Sequence, residues 1–558
     1  MTQDTQNYFS FLPDGGVRRS ELLMPAGSLE RLKVAVLYGA DAVYMGTPDM
    51  SLRTKSEFSL EDVVEGIEFA HAHGVRVYLT LNLFAHNKDV PKLDDYIATL
   101  RDVKPDGVII ADPGVFSYMR KHAPEFPLHV STQANVCSWL TVDYWTDQGA
   151  ELVVLAREVS YSELAEIREK CQDVKLEAFV HGAMCMTYSG RCLLSNYMAE
   201  RGANQGNCAN ACRWKYTVHL RLKDGSLQEI NIDDSNRDMF EFLLEEGYRP
   251  GDFLPIEEDE RGSYILNAKD LCLMPKLDDY LKIGVDSLKV EGRGKSAFYV
   301  AVAARAYRQA IDDYYAAPES WNPHPYIREL ETVGNRGYSL AFHEGRLKNF
   351  AHNYENTKTF ASWEYAGIIR EVRDGAFVME VKNRLQAGDV LEFLPPGREE
   401  TVLLRLYEYE NAKNGKKTEE VHASAKPLIR IPFSVFDRED PETIHKLFPP
   451  FTIVRKEANL TAEEWQRLKL DKVSRKIETG HAPESVYPAQ LEKLQKLVDE
   501  PTLERRPKTP RFGVEGCCGR GCNGCLMFWN DPQYARAREI LAKKKHGEML
   551  EKDMREAV

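Results

Sequence analysis

The sequence predicts an α/β protein built on a (β/α)8 TIM-like barrel. A long Cys-rich insertion separates strands 7 and 8, and a small C-terminal β-barrel and a Cys-rich tail follow the main barrel. Three observations support this. Short apolar runs alternate with helix-like segments eight times, one interval between strands exceeds 100 residues, and turn-separated strands come after the last repeat. No G-x-G-x-x-G turn follows the first strand, which disfavours an open doubly wound sheet.

The eight candidate strands are short apolar runs that end in small or polar residues. Helical patterns such as SLERLKVAVLYG and SLEDVVEGIEFAHAHG lie between them, and several begin at a Ser or Asp cap and end at Gly. The strands are predicted at Leu22–Met24, Ala42–Met45, Arg76–Leu81, Gly107–Ile110, Leu128–Val130, Leu152–Leu155, Leu176–Val180 and Ser287–Val290.

Changes of composition along the chain predict six segments. A polar lead is followed by the barrel, and the remaining segments carry Pro- and Asn-rich, β-strand-like, charged and Cys-rich patterns in that order. The predicted bounds are a lead at 1–20, the barrel at 21–315 with its insertion at about 182–285, a connector at 316–358, the small β-barrel at 359–435, a charged linker with satellite helices at 436–510, and the Cys-rich motif with a basic helical tail at 511–558.

Composition restricts the function classes. Among the 558 residues, no apolar run approaches the roughly 20 residues that span a bilayer, and the polar N-terminus lacks a signal-peptide pattern. We therefore expect a cytoplasmic protein with reduced cysteines and without a membrane or DNA partner. The net charge of −13 is uneven, since residues 501–558 carry 12 Lys/Arg against 8 Asp/Glu. This basic tail is either a phosphate-facing surface or a solvated helix.

Four cysteines in the insertion predict a metal centre. Cys185, Cys192, Cys208 and Cys212 follow a C-x6-C-x15-C-x3-C spacing, with glycines and amides between them. Such a loop can bend so that four thiolates converge, as an iron–sulfur cluster or structural zinc requires. The spacing lacks the C-x2-C pairs of common zinc modules and favours iron and sulfur; four packed, reduced thiols are the structural alternative.

The tail carries a second cysteine group, in which Cys517, Cys518, Cys522 and Cys525 lie within nine residues. These thiols predict a second cluster or a zinc site, although the adjacent pair makes ligation by all four sulfurs awkward. The C-x3-C-x2-C spacing matches that of radical S-adenosylmethionine enzymes, but those enzymes carry it beside the first barrel strand, and here it comes some 200 residues after the barrel.

The chain resembles the collagenase-like peptidase family, number thirty-two among the peptidases of unknown type. The resemblance covers about residues 20–400, yet neither H-E-x-x-H nor G-x-S-x-G is present, so peptidase activity is the runner-up function. The matching residues are Glu177, Phe179, Gly182–Cys185, Ser189–Cys192 and Ser195, and the matching blocks include Glu21–Gly46, His129–Val136, Ser287–Arg293 and Lys382–Phe393.

The motif NQGNCANACRW and the appended β-barrel resemble those family members that are iron–sulfur proteins hydroxylating RNA bases without oxygen. The resemblance implies prephenate-dependent hydroxylation of the wobble uridine of tRNA to 5-hydroxyuridine, with tRNA as partner. Hydroxylation of ribosomal RNA is an alternative, and a non-catalytic scaffold is a third. The resemblance also implies one [4Fe–4S] cluster with Cys185, Cys192, Cys208 and Cys212 as ligands, and Cys272 is the candidate to replace Cys212.

Prephenate has two carboxylates, so the resemblance also implies cationic partners, with Arg293 and Arg191 first and Arg157 and Arg53 next. Other polar residues at predicted strand ends are candidates for orienting a base or moving a proton. These residues are Glu291, Gln133, Asn135 and His181. As structural alternatives, Gln133 and Asn135 hydrogen-bond with loop backbone, Glu291 pairs with Arg293, and His181 is a packed polar residue.

Overall fold

The computed structural model describes residues 8–12, 16–46, 58–82, 85–184, 269–345, 361–397, 401–435 and 448–458, together with short strands between 219 and 264. By its internal contacts the chain divides into two units, Met1–Glu241 with Ile256–Thr502, and Phe242–Pro255 with Leu503–Val558. The barrel and the C-terminal sheet described below belong to the first unit.

Eight parallel strands close into a barrel, because each pairs with the next and the last pairs with the first. The strands of this half of the chain are β1 (Glu21–Pro25), β2 (Ala42–Gly46), β3 (Arg76–Leu81), β4 (Gly107–Ile110), β5 (Leu128–Val130), β6 (Leu152–Val154), β7 (Lys175–Gly182), β8 (His219–Arg221), β9 (Leu227–Glu229), β10 (Phe242–Glu245), β11 (Phe253–Asp259), β12 (Gly262–Tyr264), β13 (Asp270–Cys272) and β14 (Ser287–Val290). The barrel consists of β1 to β7 and β14, which confirms the predicted fold class and all eight predicted strands.

Helices cover the outside of the barrel, and their starts follow the predicted cap pattern. Ser59 and Ser160 form capping boxes with Asp62 and Glu163, which satisfy backbone donors at two helix starts. The helices are α1 (Leu29–Leu37), α2 (Leu60–Ala72), α3 (Leu93–Val103), α4 (Pro113–His122), α5 (Trp139–Asp147), α6 (Tyr161–Lys170), α7 (Leu277–Ile283), α8 (Ala297–Ala316) and α9 (His324–Leu330). None of the helices within the described ranges is long and apolar enough to cross a membrane.

A second, antiparallel half-barrel sheet follows the barrel. The remaining strands of the chain are β15 (Tyr338–Ser339), β16 (Trp363–Arg373), β17 (Ala376–Val381), β18 (Leu385–Gln386), β19 (Val390–Leu394), β20 (Val402–Arg405), β21 (Tyr409–Asn411), β22 (Lys417–Thr418), β23 (Glu420–Val421), β24 (Leu428–Pro432) and β25 (Ile453–Glu457). The strand order in this sheet is β20-β19-β25-β16-β17-β24-β21-β22, and the sheet has its own apolar core.

Strand β25 lies near the middle of this sheet, although sequence analysis assigned residues 436–510 to a charged linker. Its Arg455 is only 4% exposed. The buried charge is balanced, since Glu392 accepts from Nε at 2.9 Å and Glu329 accepts from Nη2 at 3.2 Å. Glu329 belongs to α9, so this arginine joins the sheet to the helix next to the barrel. Tyr38 of α1 makes a second junction, donating to the carbonyl of Leu394.

Candidate functional site at the carboxyl ends of the barrel strands

The carboxyl ends of the barrel strands form a mouth site, which we define as Tyr44, Thr80, Arg157, Phe179, Glu291 and Arg293. Arg293, after β14, donates from Nη1 to Thr80 Oγ1 at 3.1 Å, and its guanidinium lies 5.8 Å from the ring centre of Tyr44. A Cβ at Gly27 would lie 1.8 Å from the carbonyl oxygen of Arg293, so only glycine permits this approach of two backbones. The fold thereby fixes where Arg293 leaves the barrel.

Arg157, after β6, is the second guanidinium of the mouth site. It forms an ion pair with Glu291 and lies 4.0 Å from the ring centre of Phe179. Its side chain is only 8% exposed. The sequence suggests Arg293 as a structural partner for Glu291, whereas the structure pairs Glu291 with Arg157. One carboxylate therefore orients one of the two candidate anion-binding groups.

A buried ion pair, which sequence analysis did not single out, lies inside the barrel below the mouth site. Lys289 donates to Glu177 Oε1 at 2.7 Å, and Glu177 also accepts from Ser287 at 2.9 Å. The Lys289 Nζ atom is 4.4 Å from the ring centre of Tyr44 and 5.6 Å from that of Phe179. Each ring therefore has Lys289 and one of the two arginines near it. The detectable signal was a charged residue in the middle of each of two buried strands.

Three amide side chains follow strands β3 and β5 on the same side of the barrel. The side-chain oxygens of Asn82, Gln133 and Asn135 are buried and have no hydrogen-bond partner in the described part of the chain. Gln133 is 9% exposed, and Asn135 has a left-handed backbone with φ of +59°. Buried, unpaired amide oxygens are uncommon and suit a polar ligand.

His181 lies in the barrel wall near the end of β7, among the rings of Tyr299, Tyr307 and Tyr338. Burial lowers the pKa of His181 to about 4, so the imidazole is neutral at physiological pH. Cys272 of β13 is opposite His181 in the antiparallel β7–β13 pair and is fully buried. Burial raises the pKa of the Cys272 thiol to about 12, so this sulfur is a packed thiol in this arrangement.

Glu331 lies close to this cluster, and its buried carboxyl is expected to make the stability of the fold depend on pH. It is 3% exposed, neither carboxyl oxygen has a hydrogen-bond partner among the described residues, and burial raises its pKa to about 8. A raised folded-state pKa stabilises the fold fully below the unfolded pKa of about 4.5, and this contribution disappears as pH rises through 8. We expect the stability of wild type relative to Glu331→Gln to fall by about 2–4 kcal/mol between pH 4.5 and 8.5.

Denaturant unfolding of both proteins across this pH range measures the difference. Glu319→Gln, an exposed position in the same connector, is the control and should show no such slope. A pH-independent difference between wild type and Glu331→Gln would show that this carboxyl is already ionised in the fold.

Several predicted site residues lie outside the described ranges. They are Arg53, Arg191, Cys185, Cys192, Cys208, Cys212, Cys517, Cys518, Cys522 and Cys525. Within those ranges, no three His, Cys, Asp or Glu side chains are placed to hold a metal ion. The structure does place the start of the cysteine segment: β7 ends at Gly182 beside Glu291, since a Cβ at Gly182 would lie 2.7 Å from the Glu291 Cβ. The chain therefore leaves the barrel for Cys185 at the mouth site.

Comparisons with known proteins agree with the architecture. Residues 27–353 match the model of peptidase family U32, and residues 361–440 match that of the peptidase family U32 C-terminal domain. The chain is 40% identical over 414 residues to "tRNA hydroxylation protein P" of Escherichia coli (strain K12), covering 71% of this chain and 90% of the relative. It is 36% identical over 383 residues to "tRNA hydroxylation protein P1" of Bacillus subtilis (strain 168), covering 68% and 84%.

A more distant relative has a different name. It is "23S rRNA 5-hydroxycytidine C2501 synthase" of Escherichia coli (strain K12), 29% identical over 383 residues, which cover 67% of this chain and 52% of the relative. The first family model alone spans more than half of the chain, and the second spans most of the C-terminal sheet. The chain therefore belongs to peptidase family U32.

Proposed function

We propose that this protein is an RNA-hydroxylating enzyme that converts the wobble uridine of tRNA to 5-hydroxyuridine in an oxygen-independent, prephenate-dependent reaction. The observation that carries the proposal is the similarity to two relatives named for tRNA hydroxylation, at 36–40% identity over more than two thirds of this chain. The relative named for ribosomal RNA supports the reaction class and leaves rRNA as the alternative substrate.

The mouth site suits a small dicarboxylate such as prephenate. Arg293 and Arg157 are each fixed, by Thr80 and Glu291 respectively, and each guanidinium lies within reach of an aromatic ring. A planar guanidinium can donate two parallel hydrogen bonds to one carboxylate, so two such groups match two carboxylates. Prior orientation of both side chains reduces the entropy lost on binding.

The amide groups of Asn82, Gln133 and Asn135 suit the second substrate. A uracil base presents two carbonyl oxygens and an N–H along its edge, and side-chain amides hydrogen-bond with such groups in RNA recognition. Their oxygens are buried and unpaired in the described part of the chain, so the N–H of the base would donate to one of these acceptors, while amide NH2 groups would donate to its carbonyl oxygens.

The cysteines Cys185, Cys192, Cys208 and Cys212 would hold a [4Fe–4S] cluster as thiolates. Cys185 is three residues beyond Gly182, the last residue of β7, and Gly182 lies beside Glu291 of the mouth site. When bound, the cluster supplies an iron centre capable of electron transfer and of polarising an oxygen ligand. The tail cysteines Cys517, Cys518, Cys522 and Cys525 would hold a second cluster or zinc.

The proposal is tested by metal analysis and nucleoside analysis of the same proteins. Anaerobically purified wild type should contain about four irons and four sulfides per chain that the Cys185→Ala/Cys192→Ala variant loses. The double variant should also fail to restore 5-hydroxyuridine to tRNA of a deletion strain. A truncation before Gly516 shows separately whether the tail holds iron or zinc.

Cys171→Ala is the matched control, because Cys171 ends α6 and contacts the carbonyl of Trp139. It should retain both iron and modification. Iron loss without loss of 5-hydroxyuridine would contradict a catalytic cluster. Unchanged 5-hydroxyuridine in the deletion strain, with 5-hydroxycytidine missing from ribosomal RNA, would favour the alternative substrate. Gelatin cleavage that persists in Cys185→Ala would favour the peptidase.

A further inference from the structure

A cavity of about 530 Å³ opens at the opposite end of the barrel, where the strands begin. We call it the N-terminal cavity. Its wall includes the first residues of five barrel strands, namely Glu21 of β1, Arg76 of β3, Leu152 of β6, Lys175 of β7 and Ser287 of β14. Its volume is in the range of sites that hold small metabolites. The mouth site lies at the other ends of the same strands, so this cavity has no part in the proposed reaction.

His129 of β5 lies in the wall of the N-terminal cavity, and one of its ring nitrogens has no hydrogen-bond partner among the described residues. The residue is 3% exposed, its ring packs 4.6 Å from that of Tyr78, and its Nδ1 has no partner in the described part of the chain. Burial lowers the pKa of His129 to about 3, so the ring is neutral, with one N–H donor and one acceptor. Buried polar atoms without a partner are uncommon, so a ring nitrogen of this kind beside a cavity suits a hydrogen bond to a ligand.

The carboxylates of the cavity wall already have cationic partners. Asp41 and Asp312 both pair with Arg308, at 2.7 Å and 2.5 Å. Asp286 pairs with Arg18 at 2.5 Å and also with Arg168. These carboxylates leave little unbalanced negative charge to attract a cation.

Glu21 is the most buried of the four carboxylates that line the cavity, with 7% of its side chain exposed. It pairs with Arg76 and accepts hydrogen bonds from Tyr78 at 2.9 Å and from Ser287 at 3.2 Å. Burial raises the pKa of Glu21 to about 7, so it carries only part of its charge at neutral pH. The carboxyl that could repel an anion is therefore partly neutralised.

Two arginines of the cavity wall can still donate hydrogen bonds to an anion. Arg19 is exposed and makes no ion pair within the described residues; it lies 5.1 Å from the ring centre of Tyr315. Arg76 has a side chain that is 48% exposed although it pairs with Glu21. The charge that remains to be balanced is positive, which favours an anion over a cation or a neutral ligand.

We propose that the N-terminal cavity binds a small oxyanion, a carboxylate or a phosphate, with Arg19 and Arg76 facing its charge and His129 bonding to a polar group on it. The guanidinium groups donate charge-assisted hydrogen bonds to the oxyanion, and the hydrogen bond with the neutral imidazole fixes how the ligand is oriented in the cavity. This site is separate from the mouth site and does not depend on the proposed reaction.

Calorimetric titration of the full-length protein with succinate, inorganic phosphate and glycerol 3-phosphate, at fixed ionic strength, tests the proposal. We expect saturable binding of at least one probe, and the preferred probe distinguishes carboxylate from phosphate. Arg19→Gln should weaken that binding about tenfold, as loss of a charge-assisted hydrogen bond does. Arg101→Gln removes the same charge from an exposed ion pair on α3 and should leave affinity unchanged.

Two further variants assign the binding to this cavity. His129→Asn should weaken binding severalfold while leaving the melting temperature within a few degrees, and Arg157→Gln, at the mouth site, should have no effect on it. Absence of binding by all three probes would overturn the proposal. So would binding that Arg157→Gln abolishes, or binding that neither Arg19→Gln nor His129→Asn weakens.

Discussion

Arg293→Lys and Arg157→Lys are each expected to lower kcat/KM for the carboxylate co-substrate by about 10²–10³-fold. Lysine keeps the positive charge but cannot present two parallel N–H donors to one carboxylate, so a bidentate contact becomes a single one. The contact of residue 293 with Thr80 would also be lost, because a single ammonium group cannot reach Thr80 and the carboxylate at the same time. The rate of 5-hydroxyuridine formation in unmodified tRNA, measured at increasing co-substrate concentration, gives kcat/KM for each variant.

Controls separate binding from positioning. Arg101→Lys, in an exposed ion pair with Glu125, should leave kcat/KM unchanged. Thr80→Val removes only the group that holds Arg293 and should cost about tenfold, mainly in KM, in line with one hydrogen bond to a charged group. Equal kcat/KM for wild type and both lysine variants would show that neither guanidinium contacts a carboxylate during the reaction.

The barrel could be predicted from sequence because its signals are local. Each strand is a short apolar run, and the helices between them begin at residues such as Ser28, Ser59 and Ser160, whose side chains accept from backbone N–H groups. Closure of the sheet then follows from eight repeats of one unit. Nothing in that inference requires knowledge of contacts between distant residues.

Strand β25 was missed for a physical reason. Its sequence IVRKE has two adjacent cations, which in isolation are typical of a solvated segment. In the fold, Arg455 is neutralised by Glu329 and Glu392, and Lys456 donates to Asp389 at 3.1 Å. These partners are more than 60 residues away, so no local pattern could reveal that the charges are paired and buried.

The candidate site shows the same limit. The sequence favours Arg293 and Arg191 first and Arg157 next, but no sequence pattern predicts that Glu291 pairs with Arg157 across 134 residues. Glu177 and the block that contains Lys289 carry the family resemblance, but the sequence does not predict that the two pair inside the barrel. The N-terminal cavity depends on which residues begin five separate strands, and this becomes visible only when the barrel closes.

Replacing Lys289 with Met is expected to destabilise the fold by about 3–5 kcal/mol. Glu177 is 0% exposed and would keep a carboxylate inside the barrel with no cation beside it, which costs far more than the loss of a surface contact. Denaturant unfolding measures the change. Lys175→Met is the matched control: the Lys175–Glu151 pair has nearly the same separation, 2.6 Å, but both side chains are almost half exposed, so we expect less than about 1 kcal/mol.

The double variant Lys289→Met/Glu177→Leu determines what the pair is for. Apolar replacement of a buried ion pair is often neutral for stability, so most of the lost stability should return, while Ser287 keeps Glu21 as an acceptor. If hydroxylation returns with stability, the pair is structural. Activity that stays low in a stable double variant would show that the Lys289 charge beneath Tyr44 and Phe179 acts on the mouth site. A Lys289→Met variant no less stable than Lys175→Met would contradict the buried pair itself.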